Sequence, residues 1–194
     1  MTVEPLEFNL LDDESARQAI EAVGGLAEQQ GIEWALAGGL AVILYGSDRL
    51  TKDVDIIAAR LLPLEHRGLL RQGGARYEIE TARQRVAVDW IIRSDEARRF
   101  YQAALKDAVR IKGVPVLTPE WLVILKYIAG RFKDQEDAVF LLRRPGLVNR
   151  RKIREMVTGI GGNETWAVMK YGLQRWYELA DGHSEATPDG YIDS

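Results

Sequence analysis

A mixed-sheet α/β (α+β) core followed by a C-terminal helical bundle is the fold class that the 194-residue sequence predicts. Three observations carry that reading. Short apolar runs such as EWALAG, DVDIIAA and RVAVDWIIR alternate with segments of helical spacing up to residue 117. From Thr118 onward every apolar pattern is helical. The composition, 46% hydrophobic against 28% charged, is that of a chain able to bury a core. The expected organisation is a core over 1–117, a helical domain over 118–180 and an acidic, Gly/Pro-dotted flexible tail over 181–194.

The elements follow in order. DDESARQAIEAVGGLAEQQ opens with carboxylates suited to a helix N-terminus and then repeats apolar residues at helical spacing. EWALAG is a short strand ending at Gly38-Gly39, LAVILYG a short buried helix, and DVDIIAA the next strand. LPLEHRGLLRQ, residues 62–72, reads as an amphipathic helix. ARYEIE and RVAVDWIIR read as paired strands joined by TARQ. SDEARRFYQAAL is a helix with Ser94 at its N-cap, and AVRIKGVPVL a hairpin around Lys112-Gly113. TPEWLVILKYIAGRF begins with Thr118 as N-cap and Pro119 at the first helical position, and buries Trp121, Leu122, Leu125, Ile128 and Ala129. KDQEDAVFLLRR, RRKIREMVT and NETWAVMKYGLQRWYELA complete the helices.

Several functional classes are excluded early. The chain has no cysteine, which removes disulfides and thiolate metal sites. The acidic start MTVEPLEFNLLDDESARQ lacks the pattern of a signal peptide, and no apolar run approaches the roughly 20 residues of a membrane span. A cytoplasmic protein with no membrane partner is expected. His66 and His183 fall in a surface segment and in the tail, where nothing marks either as a ligand. The net charge of −3 hides an uneven distribution: residues 1–59 carry 3 Lys/Arg against 11 Asp/Glu, residues 60–112 carry 12 against 7. RRPGLVNRRKIR, Arg143 to Arg154, holds six basic residues and no acid. If the substrate is a nucleic acid, the arginines of 60–112 and this cluster should line its approach.

The chemistry concentrates in three carboxylates. Asp53 and Asp55 sit one residue apart in an apolar strand, so both project from one face while Val54 and Ile56 point into the core. Two such charges in a poorly solvated place repel, or force one to stay protonated, unless a cation joins them. Asp89 has the same setting within VAVDWII, opposite the face of Val86, Val88, Trp90 and Ile92. Three strand carboxylates converging on one point make an oxygen-rich site for Mg²⁺ or Mn²⁺. Hard cations held in this way, with positions open to substrate phosphates, serve phosphoryl and nucleotidyl transfer. Gly38-Gly39, between a strand and a helix, lets backbone N–H groups approach a phosphate. It is neither a GxGxxG fingerprint nor a P-loop.

The combination resembles the polymerase-β-like nucleotidyltransferase superfamily: Gly38-Gly39, thirteen residues, Asp-Val-Asp-Ile, then Asp89 within an apolar strand. GGLAVILYGSDRLTKDVDI with the downstream LKYIAGRFKDQEDAVFLL looks in particular like the AbiEii-type minimal nucleotidyltransferases of bacterial toxin–antitoxin systems, over about residues 34–142. The resemblance implies a nucleotidyltransferase core and an NTP substrate. It implies that Asp53 and Asp55 bind metal and nucleotide phosphates and that Asp89 is a metal ligand and general base. It further implies nucleotide-binding roles for Gly38, Gly39, Arg49, Thr51, Lys126, Lys133, Asp134 and Asp137. The acceptor it implies is RNA, particularly the tRNA 3′ end, or a protein side chain, with an antitoxin as partner. On the residues themselves, Lys126, Gly130, Lys133 and Asp137 share one face provided the helix runs on through Gly130, and Asp137 would then orient Lys133.

Two other readings compete. An antibiotic nucleotidyltransferase has a similar core, but its relatives place an acid shortly after Gly-Gly and a His before the DxD. This chain has Val42 and Ile43 in the first region and no His in the second. A catalytically silent nucleotide-binding regulator or partner would keep the fold without turnover, and the presence of all three carboxylates weighs against it.

Overall fold

The computed structural model describes residues 10–182, so His183 and all but the first two residues of the expected acidic tail lie outside the described residues. Helix α1 (Asp13–Gln29) opens on Asp12, whose carboxylate accepts from the N–H groups of Glu14 and Ser15. Strand β1 (Trp34–Leu36), helix α2 (Gly38–Leu44) and strand β2 (Asp53–Ala58) follow as the sequence predicts. Strands β3 (Gly68–Leu69), β4 (Gly74–Glu80) and β5 (Arg85–Ile91) form the next section, then helix α3 (Arg98–Lys106) and the hairpin β6 (Val109–Ile111) and β7 (Val114–Val116). Helices α4 (Pro119–Ala129), α5 (Phe132–Arg143) and α6 (Arg150–Ala180) complete the chain.

The seven strands form one mixed sheet in the order β3-β4-β5-β2-β1-β7-β6. β2 runs parallel to β5 and β1 parallel to β7, while the other neighbours are antiparallel. Pairing fixes which residues share a face. Val54 and Ile56 are fully buried on the same face as Trp34, since Trp34 stands opposite Ala58 and Leu36 opposite Ile56. α1 covers that face so closely that a Cβ at Gly24 would overlap the Trp34 ring. The other face carries Asp53, Asp55 and Ile57, and it is there that α3 and α4 pack. One hydrophobic core runs from Ala16 in α1 to Tyr177 in α6. Among the described residues no helix is long and apolar enough to cross a membrane.

Three local expectations fail, each for a physical reason. Residues 62–72 are not helical. Arg67 donates its N–H to Arg76 O, and Gly68 and Leu69 pair with Arg76 and Ala75. Leu64 and Leu69 are left 43% and 75% exposed, and the backbone bonds of the segment go to β4 rather than to a helix. Ser94 does not cap α3, which begins four residues later behind Ala97, with Asp95 accepting from the Ala97 N–H. α4 stops at Gly130, whose φ of 68° is left-handed, so no helix runs on toward Lys133. Ala129 is accordingly exposed and Ile128 only half-buried. The two helices expected in the last third are both present, as the two arms of α6 on either side of Gly162, whose φ of 76° and ψ of −178° are not helical.

Candidate active site

The register of two parallel strands builds the centre. Asp55 on β2 stands directly beside Asp89 on β5, and Asp53 lies one pleat away on the same face. One oxygen from each of Asp53, Asp55 and Asp89 falls within 4.8 Å of the others. The three residues of the sequence-predicted triad therefore do come together. Burial first, then the charges of Asp53 and Asp89, push the Asp55 carboxyl up to about 6. Carboxylates held this close suit a shared cation, and all-oxygen donors suit a hard divalent ion.

Gly38 supplies the complementary wall. Its φ of 59° opens α2, and a Cβ there would overlap the Asp55 carboxylate. Neither the backbone angle nor the space admits a side chain, so the cradle beside Asp55 is specific to glycine. The donor set and this cradle together fit a divalent cation, with Asp53, Asp55 and Asp89 as its holders. Gly39 lies beneath the next layer: a Cβ on it would stand 3.2 Å from Arg49 Cζ and 3.3 Å from Thr51 Oγ1. Thr51 is buried and its hydroxyl reaches Asp53 O at 3.3 Å and Oδ1 at 3.4 Å. It steadies the first carboxylate.

Opposite the triad lies a chain of alternating charges. Arg49 and Lys126 both donate to the Asp137 carboxylate. Lys126 Nζ also lies 3.5 Å from Asp134 Oδ1, and Arg131 forks onto Asp134 at 2.7 and 3.1 Å. Lys126, Asp134 and Asp137 are all buried. Burial alone would raise the Asp134 carboxyl, but the Arg131 hydrogen bond and the Lys126 and Arg131 charges hold it below the usual range. Two carboxylates thus pin three cations, and the field of Lys126 and Arg131 reaches Asp55. A narrow cleft of about 50 Å³ runs between them, lined by Gly38, Asp55, Lys126 and Arg131.

This arrangement corrects the lysine stripe. With α4 broken at Gly130, Asp137 orients Lys126 and Arg49 rather than Lys133, and Lys133 is exposed and outside the chain of charges. Arg131 takes the place expected of Lys133. Its signal in the sequence was the spacing to Asp134, the N-cap and third residue of one helix, where the Asp134 carboxylate accepts from the Arg131 backbone N–H. Arg76 was also missed. It stands directly across from Asp89 on β4 and forks onto it at 2.6 and 2.9 Å. The alternation of Arg76, Glu78 and Glu80 marked that strand face as polar, but only the register brings Arg76 to Asp89. The basic cluster of 143–154 is largely engaged elsewhere. Arg150 pairs with Asp181, Arg151 with Glu155 and Lys152 with Glu120, while Arg143 donates to Leu179 O.

The chain has a nucleotidyltransferase-like fold. It is similar over 90% of its length to an antigenic nucleotidyltransferase-like protein from Paracoccidioides brasiliensis, of which it covers 94%, with 16% identity and a TM-score of 0.52. A candidate nucleotidyltransferase from H. pylori is matched over 91% of this chain and 100% of that one, at 12% identity and a TM-score of 0.50. No family model and no curated protein matches the sequence.

Proposed function

We propose that the protein is a metal-dependent nucleotidyltransferase that moves NMP from an NTP to an acceptor hydroxyl and releases pyrophosphate. The observation that carries this reading is the trio Asp53, Asp55 and Asp89 on adjacent parallel strands, within 4.8 Å, against a glycine wall. Mg²⁺ or Mn²⁺ bound there would supply Lewis-acid charge to the phosphate oxygens. Asp53 and Asp55 would hold it from β2, and Asp89 from β5. The backbone N–H groups at Gly38 and Gly39 approach the phosphates where no side chain intervenes. Lys126 and Arg131 face the pyrophosphate and offset the charge it gains on leaving.

In the transfer, the acceptor oxygen forms a bond to the α-phosphorus as the bond to the bridging oxygen of pyrophosphate breaks, and that oxygen leaves with the electron pair. The acceptor proton passes to an Asp89 oxygen. The Arg76 fork occupies one lone pair on each of those oxygens and leaves another free. Arg49, Asp134 and Asp137 act at one remove, by holding Lys126 and Arg131 in place. The cleft beside the triad is lined on its helical side by Leu122, Leu125, Lys126 and Asp134. In this reading 1–117 is the catalytic unit and 118–180 the helical unit that borders the nucleotide cleft.

The resemblance of residues 34–142 to AbiEii-type proteins supports a macromolecular acceptor, RNA or protein, and a toxin role with an antitoxin partner. The test is incubation with each labelled NTP, Mg²⁺ and total RNA, followed by a denaturing gel. Label on RNA or on the protein, lost with EDTA, is the expected result. Absence of label together with absence of any thermal shift from Mg²⁺ and NTP would overturn the proposal.

A further inference from the structure

A second cavity lies near the phosphate cleft. It holds about 370 Å³, in the range of small-molecule sites, and lies between the sheet and α3. Its floor is Ile57 and Ile91, which continue the two strands beyond Asp55 and Asp89 on the same face. Tyr101 forms the partition. Ile57, Ile91 and Tyr101 line both this cavity and the cleft that holds Asp55, so the two spaces are contiguous.

The α3 side of the cavity is a single helix face. Arg98, Tyr101, Gln102, Leu105 and Lys106 recur at positions 0, 3, 4, 7 and 8, and all of them line it. Arg98 and Lys106 are exposed at the two ends of that face, about 12 Å apart along the axis at 1.5 Å per residue. Neither side chain forms an ion pair among the described residues. The neighbouring cation, Arg93, is already committed to Asp95 and to the Tyr101 ring. Glu33 is the one acid on the lining. The cavity therefore offers a flat apolar floor, an aromatic wall, an amide at Gln102, a hydroxyl at Ser94, and two uncommitted cations at its mouth.

We propose that this cavity is the acceptor subsite and that it takes one phosphate-bearing nucleotide unit. The base would lie on Ile57 and Ile91 against Tyr101, the phosphate at Arg98 or Lys106, and the ribose hydroxyl toward Asp89. The inference rests on the nucleotidyltransferase reading and deepens it. An in-line displacement needs the nucleophile and the leaving group on opposite sides of the phosphorus, so the acceptor must approach from a space other than the one that holds the pyrophosphate. Lys126 and Arg131 line the pyrophosphate space and are already pinned by carboxylates. Arg98 and Lys106 line the other, on another element, and are free to meet an anion. The balance is that of the transfer above: the ribose O–H gives its proton to Asp89 and its oxygen to the phosphorus, and pyrophosphate leaves.

The experiment is calorimetric titration of the full chain with 5′-AMP and with a short oligoribonucleotide ending in a 3′-hydroxyl, both with Mg²⁺ and a non-hydrolysable NTP present. Arg98→Ala/Lys106→Ala is compared with the wild type, and Gln102→Trp, a change at an exposed position, fills the cavity by an independent route. Loss of roughly tenfold or more in affinity for the nucleotide probe in both variants, with Mg²⁺–NTP affinity retained, is expected. Equal affinity for the two probes identifies a free nucleotide as acceptor; an oligonucleotide that binds about tenfold tighter identifies the end of a strand. Unchanged probe affinity in the variants overturns the proposal, as does a loss confined to Mg²⁺–NTP, which would assign the cavity to the donor. A wild type that binds Mg²⁺–NTP and neither probe also overturns it and leaves the proposed function standing. A wild type that does not bind Mg²⁺–NTP overturns that function itself.

Discussion

The triad and the ion chain beside it hold the same kind of side chain in opposite conditions. Asp53, Asp55 and Asp89 gather within 4.8 Å with one arginine among them, on Asp89. Asp134 and Asp137 are more deeply buried than Asp55, yet three cations touch them. Burial and like charges leave Asp55 with a carboxyl pushed up to about 6, whereas the cations hold Asp134 below its ordinary value. Sheet register forces the first group together regardless of charge. The start of α5 and the side of α4 let the second group choose partners. A centre short of positive charge is built to receive it, and a centre with its charge balanced is built to stay still.

The comparison breaks most visibly under one substitution made in both places. Asp53→Asn and Asp55→Asn should each abolish transfer, by about a thousandfold or more, since each removes a holder of the cation. The thermal shift given by Mg²⁺ and NTP should shrink with them. Yet the apo protein should keep or gain stability, because a repelling charge has gone. Asp137→Asn should do the reverse to the apo protein. It leaves the buried Lys126 with Asp134 alone and Arg49 without its ion pair, and costs about 3 kcal/mol. Urea unfolding of the variants side by side reads both signs. A stabilised Asp137→Asn or a strongly destabilised Asp55→Asn would show that the two regions are not opposites.

A pH scan sharpens the same contrast. The folded-state value of Asp55 lies above its unfolded value of about 3.8, so folding favours the protonated form. Its contribution is present in full below pH 4 and is lost as pH rises through 6, by up to about 3 kcal/mol. Asp134 has the opposite sign: its lowered carboxyl contributes stability above its unfolded value that is lost as pH falls. Apo stability measured between pH 4 and 7 should therefore decline in the wild type and decline less in Asp55→Asn. Saturating Mg²⁺ should cancel the decline. Identical slopes in the two proteins would remove Asp55 from the account.

Period and punctuation made much of this legible. The face of Asp53 and Asp55 follows from alternation alone, as does that of Asp89, and the glycine pair announces the turn that walls them. The sequence does not say that β2 and β5 are neighbours, and without that the approach of Asp89 to Asp55 rests on resemblance. The same limit hid Arg76, whose role exists only across the β4–β5 register. Residues 62–72 misled because Leu62, Leu69 and Leu70 fit a helical face, while Gly68 and Gly74 in fact serve a strand pairing set by β4. Lys133 misled because a lysine stripe is continuous only if the backbone is, and Gly130 turns left-handed there. Arg131, at the start of the next helix, inherits the position.

The smallest effect concerns the one cation that the triad does possess. The Arg76 guanidinium forks onto both oxygens of Asp89, and its ordinary value is raised by that hydrogen bond. The arginine side chain is 48% exposed, so solvent screens the pair and its worth to the fold is under about 1 kcal/mol. Arg76→Ala should therefore lower the melting temperature of the apo protein only slightly. Its effect on metal should have the opposite direction. The fork competes with a divalent ion for the same two oxygens, and its positive charge opposes a second one nearby. Removing it should tighten Mn²⁺ binding about two- to fivefold, the equivalent of an exposed ion pair. Arg76→Lys, which keeps the charge but cannot fork, should fall between the two. Paramagnetic titration of Mn²⁺ measures this without any turnover. If Arg76→Ala instead weakens Mn²⁺ binding, then Arg76 is not a competitor for Asp89 but the group that aims it, and the triad is less short of positive charge than its geometry indicates.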